Sequence, residues 1–369
     1  MWPRKKVAMP WIRARSISRP ALEQLRRLQE RRPAARVLAV FEHACDLVIP
    51  DDDGRMIHQV GRTSGHATAG CAASHLSVHG RTLNVRVIAL VTPKVGDGPL
   101  NIVLDDVPHP FAGVSTGATV TLKEEQIEIG ALHVNLAGAT VWEPRPDWDV
   151  LRTRRATTAS RLPILRDACL RGGPAGTIAV KGGPADTIAV KGGPAGSLLA
   201  LLKSPRLEGT VQGVVLSRTA KAAEALREGW AGDRERLRAG AAALAGLGGG
   251  LTPSGDDFLV GVMLAAWLTH PTPTPLCRAL VEAAAPRTTT LSAAFLRAAA
   301  RGECTAAWHT LLAALSCRPD RFRIGCTHPP CQVYTAAARG VMAHGATSGA
   351  DALAGFLFVC QRPTGNVRP

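Results

Sequence analysis

Two eight-residue stretches of this chain carry the same five fixed residues. Ser254-Gly255-Asp256-Asp257-Phe258-Leu259-Val260-Gly261 and Ser348-Gly349-Ala350-Asp351-Ala352-Leu353-Ala354-Gly355 both read S-G-x-D-x-L-x-G, and a threonine, Thr252 or Thr347, precedes each. The first copy is entered through Gly246-Leu247-Gly248-Gly249-Gly250-Leu251, so glycines, a proline and two adjacent aspartates crowd the mouth of an apolar run. Serine followed three residues later by an acid is the pattern of a capping box, whose hydroxyl and carboxyl satisfy orphan amides at a helix start. Such a cap contributes roughly 0.5–2 kcal/mol, and its negative charge suits the positive end of the helix dipole. Capping explains the serine and the aspartate, but not Gly261 and Gly355. They fall about two turns inside their helices, where glycine costs roughly 1 kcal/mol relative to alanine. The expectation is that the two helices cross at these glycines and bring both N-termini to one pocket.

The amides of Gly248, Gly249 and Gly250 can form a nest for an anion, with Thr252, Ser254 and Gly255 beside them. Asp256 and Asp257 would repel a phosphate about 4 Å away. Either a cation comes in, with Arg287 of "PRTTTLSAAF" the nearest basic candidate and a metal the other choice, or the aspartates accept protons or hydrogen bonds from a substrate N–H group. The expected site is bipolar. Asp256 and Asp257 are its acid–base candidates; the glycines, Thr252, Ser254, Gly255, Arg287, Thr347, Ser348, Gly349 and Asp351 are its binding residues.

No metal set is assigned. "CTHPPC" (Cys326, His328, Cys331), near Cys317, departs from C-x2-C spacing and reads as unligated loop. His58, His66, His75 and His79 lie among β-like segments without metal-like alternation, and "TSGH" at 63–66 echoes the motif without its Asp and Leu. Nothing in the sequence names a cofactor.

The elements that must position these residues separate by period. Residues 37–145 hold short runs rich in Val, Ile and Thr, such as "TLNVRVIALV" and "ATVTLKEEQIEIGALHVNLAGATVW", punctuated by Gly, Pro and Asp. From residue 204 to 361 apolar residues recur every three to four positions, with Gly or Pro stops, giving about seven helices. The fold class expected is α+β: a mostly antiparallel β domain, sheet or barrel, followed by an α-helical domain. Between them, 146–203 reads as a linker: an arginine-rich joint, then "GGPAGTIAVK" repeated as "GGPADTIAVK" with a third partial copy. A ten-residue repeat is too short for a solenoid unit and fits a recent duplication looped out of the fold.

Net charge is +15 over 369 residues, but residues 1–36 hold eleven Lys/Arg against two Glu. That concentration makes a basic, unstructured arm the expectation and argues against a nucleic-acid face on the rest of the chain. The arm lacks the apolar core of a signal peptide. The most apolar run, "FLVGVMLAAWL", is shorter than the ~18–20 residues a membrane span needs. Nine scattered cysteines predict reduced thiols in a cytoplasm, with no membrane partner.

The stretch from Gly246 to Gly261 matches G-L-G-x-G-L-T-P-S-G-D-D-F-L-x-G, and together with "GATSGADALAG" it resembles the signatures of the AllH-like family, the AllH-type subunit of oxamate carbamoyltransferase in allantoin degradation. The resemblance covers about 37–145 and 204–360. It implies carbamoyl transfer between carbamoyl phosphate and oxamate, small-molecule substrates, and partner subunits in a hetero-oligomer; the alternative is a non-catalytic subunit that binds a small anion or acyl phosphate. Carbamoyltransferases that use S-x-R-T-R and H-P-x-Q are not matched: Val150 stands where the serine before Arg152-Thr153-Arg154 belongs, and Gln332 comes one residue late.

Overall fold

A computed structural model describes residues 11–31, 35–50, 77–78, 81–82, 85–123, 125–171, 198–202, 211–317 and 330–360. The decapeptide repeat, "TSGH", His58, His66, His75, His79, Cys326 and His328 lie outside the described residues. The chain divides into two units, with the change falling between Pro144 and Arg145.

The first unit is built on strands β1 (Ile12–Ser18), β2 (Ala35–Val40), β3 (Ala44–Pro50), β4 (Ser77–Val78), β5 (Arg81–Thr82), β6 (Val85–Val91), β7 (Asn101–Leu104), β8 (Thr119–Lys123), β9 (Gln126–Ile129), β10 (Leu132–Asn135) and β11 (Thr140–Trp142). The sheet runs β10-β9-β8-β2-β3-β6-β7-β1, and β1 pairs back to β10, so these strands close into a barrel with β11 added on β1. β4 and β5 form a separate two-stranded ribbon. Antiparallel pairs predominate, but β1–β10, β1–β11 and β6–β7 are parallel. Closure hides both sheet edges, and inward side chains from successive strands, among them Ile17, Leu47, Ile88, Leu90, Ile102 and Ile127, fill the interior.

The basic arm is corrected over much of its length. Residues 12–31 form β1, which joins three other strands, and helix α1 (Arg19–Arg31). The Ser18 hydroxyl accepts the Ala21 N–H and donates to the Pro99 carbonyl, so one serine starts the helix and ties it down. Ala21 and Leu25 are buried while Arg19, Glu23, Arg26 and Arg27 are exposed. High charge hid an amphipathic period.

The second unit is helical: α2 (Trp148–Thr153), α3 (Arg155–Arg171), a 3-10 turn at Leu198–Leu202, α4 (Val211–Trp230), α5 (Arg234–Leu244), α6 (Ser254–Thr269), α7 (Pro273–Ala284), a 3-10 turn at Ala285–Arg287, α8 (Thr290–Ala300), α9 (Ala306–Ser316), α10 (Pro330–Met342) and α11 (Ser348–Cys360). The described part of the expected linker is therefore mostly packed helix. Trp148, Leu151, Leu165 and Cys169 enter the helical core, and the Arg161 guanidinium donates to the carbonyls of Ala314 and Leu315 at the end of α9, where a cation meets the negative end of the helix dipole. Arg152, of the "RTR" stretch, donates to the Trp267 carbonyl.

Helix α6 is the axle of this unit. It is apolar on every side and buried along nearly its whole length, the pattern of a helix enclosed by others. No helix among the described residues is long and apolar enough to cross a membrane. The six cysteines whose side chains are described are all free thiols.

Candidate functional site

Helices α6 and α11 cross as the glycines predict. A Cβ on Gly261 would run into the Ala352 carbonyl of α11, and a Cβ on Gly355 into the Phe258 carbonyl of α6. Phe258 and Ala352 occupy the same position of the repeated motif, so the contact is reciprocal. The first motif glycine works the same way: Gly255 leaves room for the Leu244 carbonyl at the end of α5, and Gly349 for the Val341 carbonyl in the last turn of α10. Each copy is thus a helix–loop–helix unit held by backbone against backbone, and the two copies clasp.

The capping box at the start of α6 does not form as expected. Pro253, not Ser254, precedes the first helical residue of α6, and no side chain caps it. The serines instead reach across the crossing: the Ser254 hydroxyl is within hydrogen-bonding reach of Asp351, and the Ser348 hydroxyl within reach of Asp257. Thr252 Oγ1 lies 3.0 Å from Ser348 Oγ, and Thr347 also reaches Asp351. A local cap would have kept each hydroxyl on its own helix. The close approach of the two N-termini offers each a buried carboxyl across the crossing instead.

Asp257 and Asp351 are the centre of this arrangement. Asp351 is fully buried and accepts the Leu198 N–H at 2.6 Å; burial pushes its pKa up to about 6. Asp257 is pushed well above the usual carboxyl range, first by burial and then by the Asp351 and Asp256 charges, with the Ser348 hydroxyl opposing. Asp257 Oδ2 and Asp351 Oδ2 are buried and have no hydrogen-bond partner among the described residues.

Asp256 has a different job. Its Oδ1 accepts the Gly246 N–H at 3.0 Å and its Oδ2 accepts the Thr288 hydroxyl. Burial raises its pKa, and those bonds together with Ser292 oppose the rise. These bonds give Asp256 a positioning part: it pins the start of the glycine loop to the start of α8. Thr289 and Ser292 hold the other end through the Leu251 carbonyl, at 2.5 Å and 3.4 Å.

The Arg287 side chain is bonded elsewhere. Its guanidinium donates to the Ala283 carbonyl at the end of α7, at 2.7 Å, and what it turns toward the loop is its backbone carbonyl, beside Gly246. Between these anchors Gly248, Gly249 and Gly250 are exposed. Gly248 and Gly250 take φ of 121° and 87°, which side chains resist. A Cβ on Gly248 would stand 2.8 Å from the Ser254 amide, so the loop folds over the α6 N-terminus. The Gly255 amide is spoken for: it donates to the Leu247 carbonyl at 2.8 Å, as Gly349 donates to His344 at 3.0 Å. Gly255 and Gly349 are packing residues here, not free anion donors.

Sequence reasoning missed Thr288, Thr289 and Ser292 as loop anchors, although they stand in the same "PRTTTLSAAF" run as Arg287; hydroxyls beside a helix start were the available signal. The Leu198 amide had none. No group of three His, Cys, Asp or Glu able to hold a metal occurs among the described residues.

A duplicated helix–loop–helix clasp with two buried carboxyls defines the class of site. The family model for oxamate carbamoyltransferase subunit AllH matches residues 244–360, and over that stretch the chain is similar to that family. The match opens on the last residue of α5 and closes on the last of α11, so it contains both motif copies. No curated protein and no solved structure matches the chain.

Proposed function

We propose that this chain supplies the carbamoyl-transfer site of an oxamate carbamoyltransferase-like complex, working in a cytoplasm with other subunits. The observation that carries the reading is the meeting of the two motif copies at a pair of buried carboxyls, inside the AllH-like segment. The exposed Gly248–Gly250 amides suit the phosphate of carbamoyl phosphate. The Asp257 carboxylate suits the nitrogen of oxamate. As that nitrogen attacks the carbamoyl carbon it gives its proton to Asp257, the bond from carbon to the phosphate oxygen breaks, and inorganic phosphate leaves. Burial that raises the Asp257 pKa makes its ionised form a stronger base than a free carboxylate. Asp256 and Thr288 keep the loop in place, and Asp351 sets the pair.

One observation favours the second reading, a subunit that binds a small anion without turning it over. Arg287, the basic side chain expected at the glycine loop, is turned to Ala283. Co-purification of the chain with the products of neighbouring genes, followed by assay of carbamoyl phosphate with oxamate, separates the two. Turnover is expected, and Asp257→Asn should lower kcat by on the order of a hundredfold or more. Unchanged turnover in that variant removes the site; ligand binding without turnover in any complex leaves the binding subunit.

A further inference from the structure

Asp257 Oδ2 and Asp351 Oδ2 come from matching positions of the two motif copies, and both are buried without a hydrogen-bond donor. Asp257 is 9% exposed and Asp351 0%, and Asp351 is near enough for its charge to act on Asp257. Buried carboxyl oxygens in a folded protein are nearly always paired, because leaving them dry and unbonded is costly. The hydroxyls nearest the pair, Ser348 at Asp257 and Ser254 and Thr347 at Asp351, leave both Oδ2 atoms without a bond, and the other polar groups close by serve other partners. Asp256 serves Gly246 and Thr288, Asp351 Oδ1 takes the Leu198 amide, Ser348 Oγ meets Thr252 Oγ1, and Arg287 faces Ala283. Two orphan acceptors contributed by a duplicated element call for a group with two donors.

We infer that Asp257 and Asp351 together hold one ligand nitrogen that carries two hydrogens, each Oδ2 accepting one N–H, so that the group bound between the helix starts is a primary amide or carbamoyl and not its methyl isostere. The choice of ligands rests on the carbamoyl reading above; the donor count does not. A planar amide presents two N–H groups on its nitrogen and an oxygen acceptor beside it, and the Ser254, Ser348 and Thr252 hydroxyls stand on the same crossing. The Leu198 amide already makes one such N–H contact with Asp351, showing what the carboxyl accepts. A methyl in place of NH2 leaves both oxygens dry, and sites built around such hydrogen bonds reject the lacking analogue by on the order of 10⁴-fold.

Calorimetric titration of the full chain tests this with carbamoyl phosphate against acetyl phosphate, and oxamate against pyruvate, each pair differing only in NH2 for CH3. The NH2 member of at least one pair should bind about a hundredfold tighter or more, and Asp257→Asn or Asp351→Asn, with folding checked by circular dichroism, should erase most of that preference. Equal affinities within both pairs, or no binding of any of the four, overturn the inference; the wild-type comparison decides even where a variant fails to fold. Turnover by an assembled complex without an NH2 preference sinks the inference and spares the carbamoyl reading, while a preference in a chain that no complex turns over does the reverse.

Discussion

The two copies of the motif do the same packing and different chemistry. In the α5–α6 copy a long loop, Ala245–Pro253, rises over the helix start and carries three exposed glycines; in the α10–α11 copy Ala343–Thr347 closes directly. The residue after the first motif glycine of the copies tracks this difference. It is Asp256 where the long loop must be pinned and Ala350 where there is no long loop to pin. The residues that make the crossing, Gly261 with Gly355 and Ser254 with Ser348, are identical in both. Helix crossing tolerates no variation because backbone meets backbone, whereas a loop can diverge as long as one side chain ties it back.

The comparison can be broken most forcefully at its symmetric part. Gly261→Ala and Gly355→Ala should each destabilise the helical unit by about 3 kcal/mol or more, since the new methyl meets a carbonyl that cannot move without parting the helices. Denaturant melts of both variants check this. A tolerated alanine at either position would mean that the clasp is not reciprocal.

A second effect belongs to the acids at the crossing. The folded pKa of Asp351, about 6, stands above its unfolded value. Its stabilising contribution is therefore fully present below about pH 4 and is lost as pH rises through 6, and the raised Asp257 extends the loss higher. For Asp351 alone two units correspond to about 3 kcal/mol as an upper figure. Melting temperature should fall between pH 4 and pH 7, and Asp351→Asn should flatten the slope; a rising profile would place these carboxyls in solvent or against a cation.

The smallest effect sharpens the asymmetric part. Asp256→Asn should cost about 2 kcal/mol through its weakened bonds to Gly246 and Thr288. Hydrogen exchange should speed up across Leu247–Leu251 and stay unchanged at His344–Thr347. Equal loosening of both loops would end the distinction drawn between Asp256 and Ala350.

Much of the fold and of the crossing is legible in the order of residues alone. Interior glycines two turns past a serine announce a helix crossing, because their cost needs a close approach to offset it. The change from short Val- and Ile-rich runs to a helical period announces an α+β chain. What misleads is charge: arginines in residues 12–31 and 152–171 obscure amphipathic faces whose few buried residues, Ala21, Leu25, Leu165 and Cys169, do the packing. Adjacent aspartates also look alike, yet Asp256 and Asp257 point to different neighbours because successive residues on a helix face directions about 100° apart.

The amino-acid string by itself settled which residues recur, where backbone had to come close, and that a carboxyl would sit at each helix start. Only the folded chain decided that each serine serves the opposite helix, that Arg287 turns away, and that Leu198 reaches Asp351 but not Asp257. Those outcomes depend on which groups from distant parts of the chain arrive within about 3 Å of one another, and hydrogen-bond geometry over that range is not encoded in local spacing.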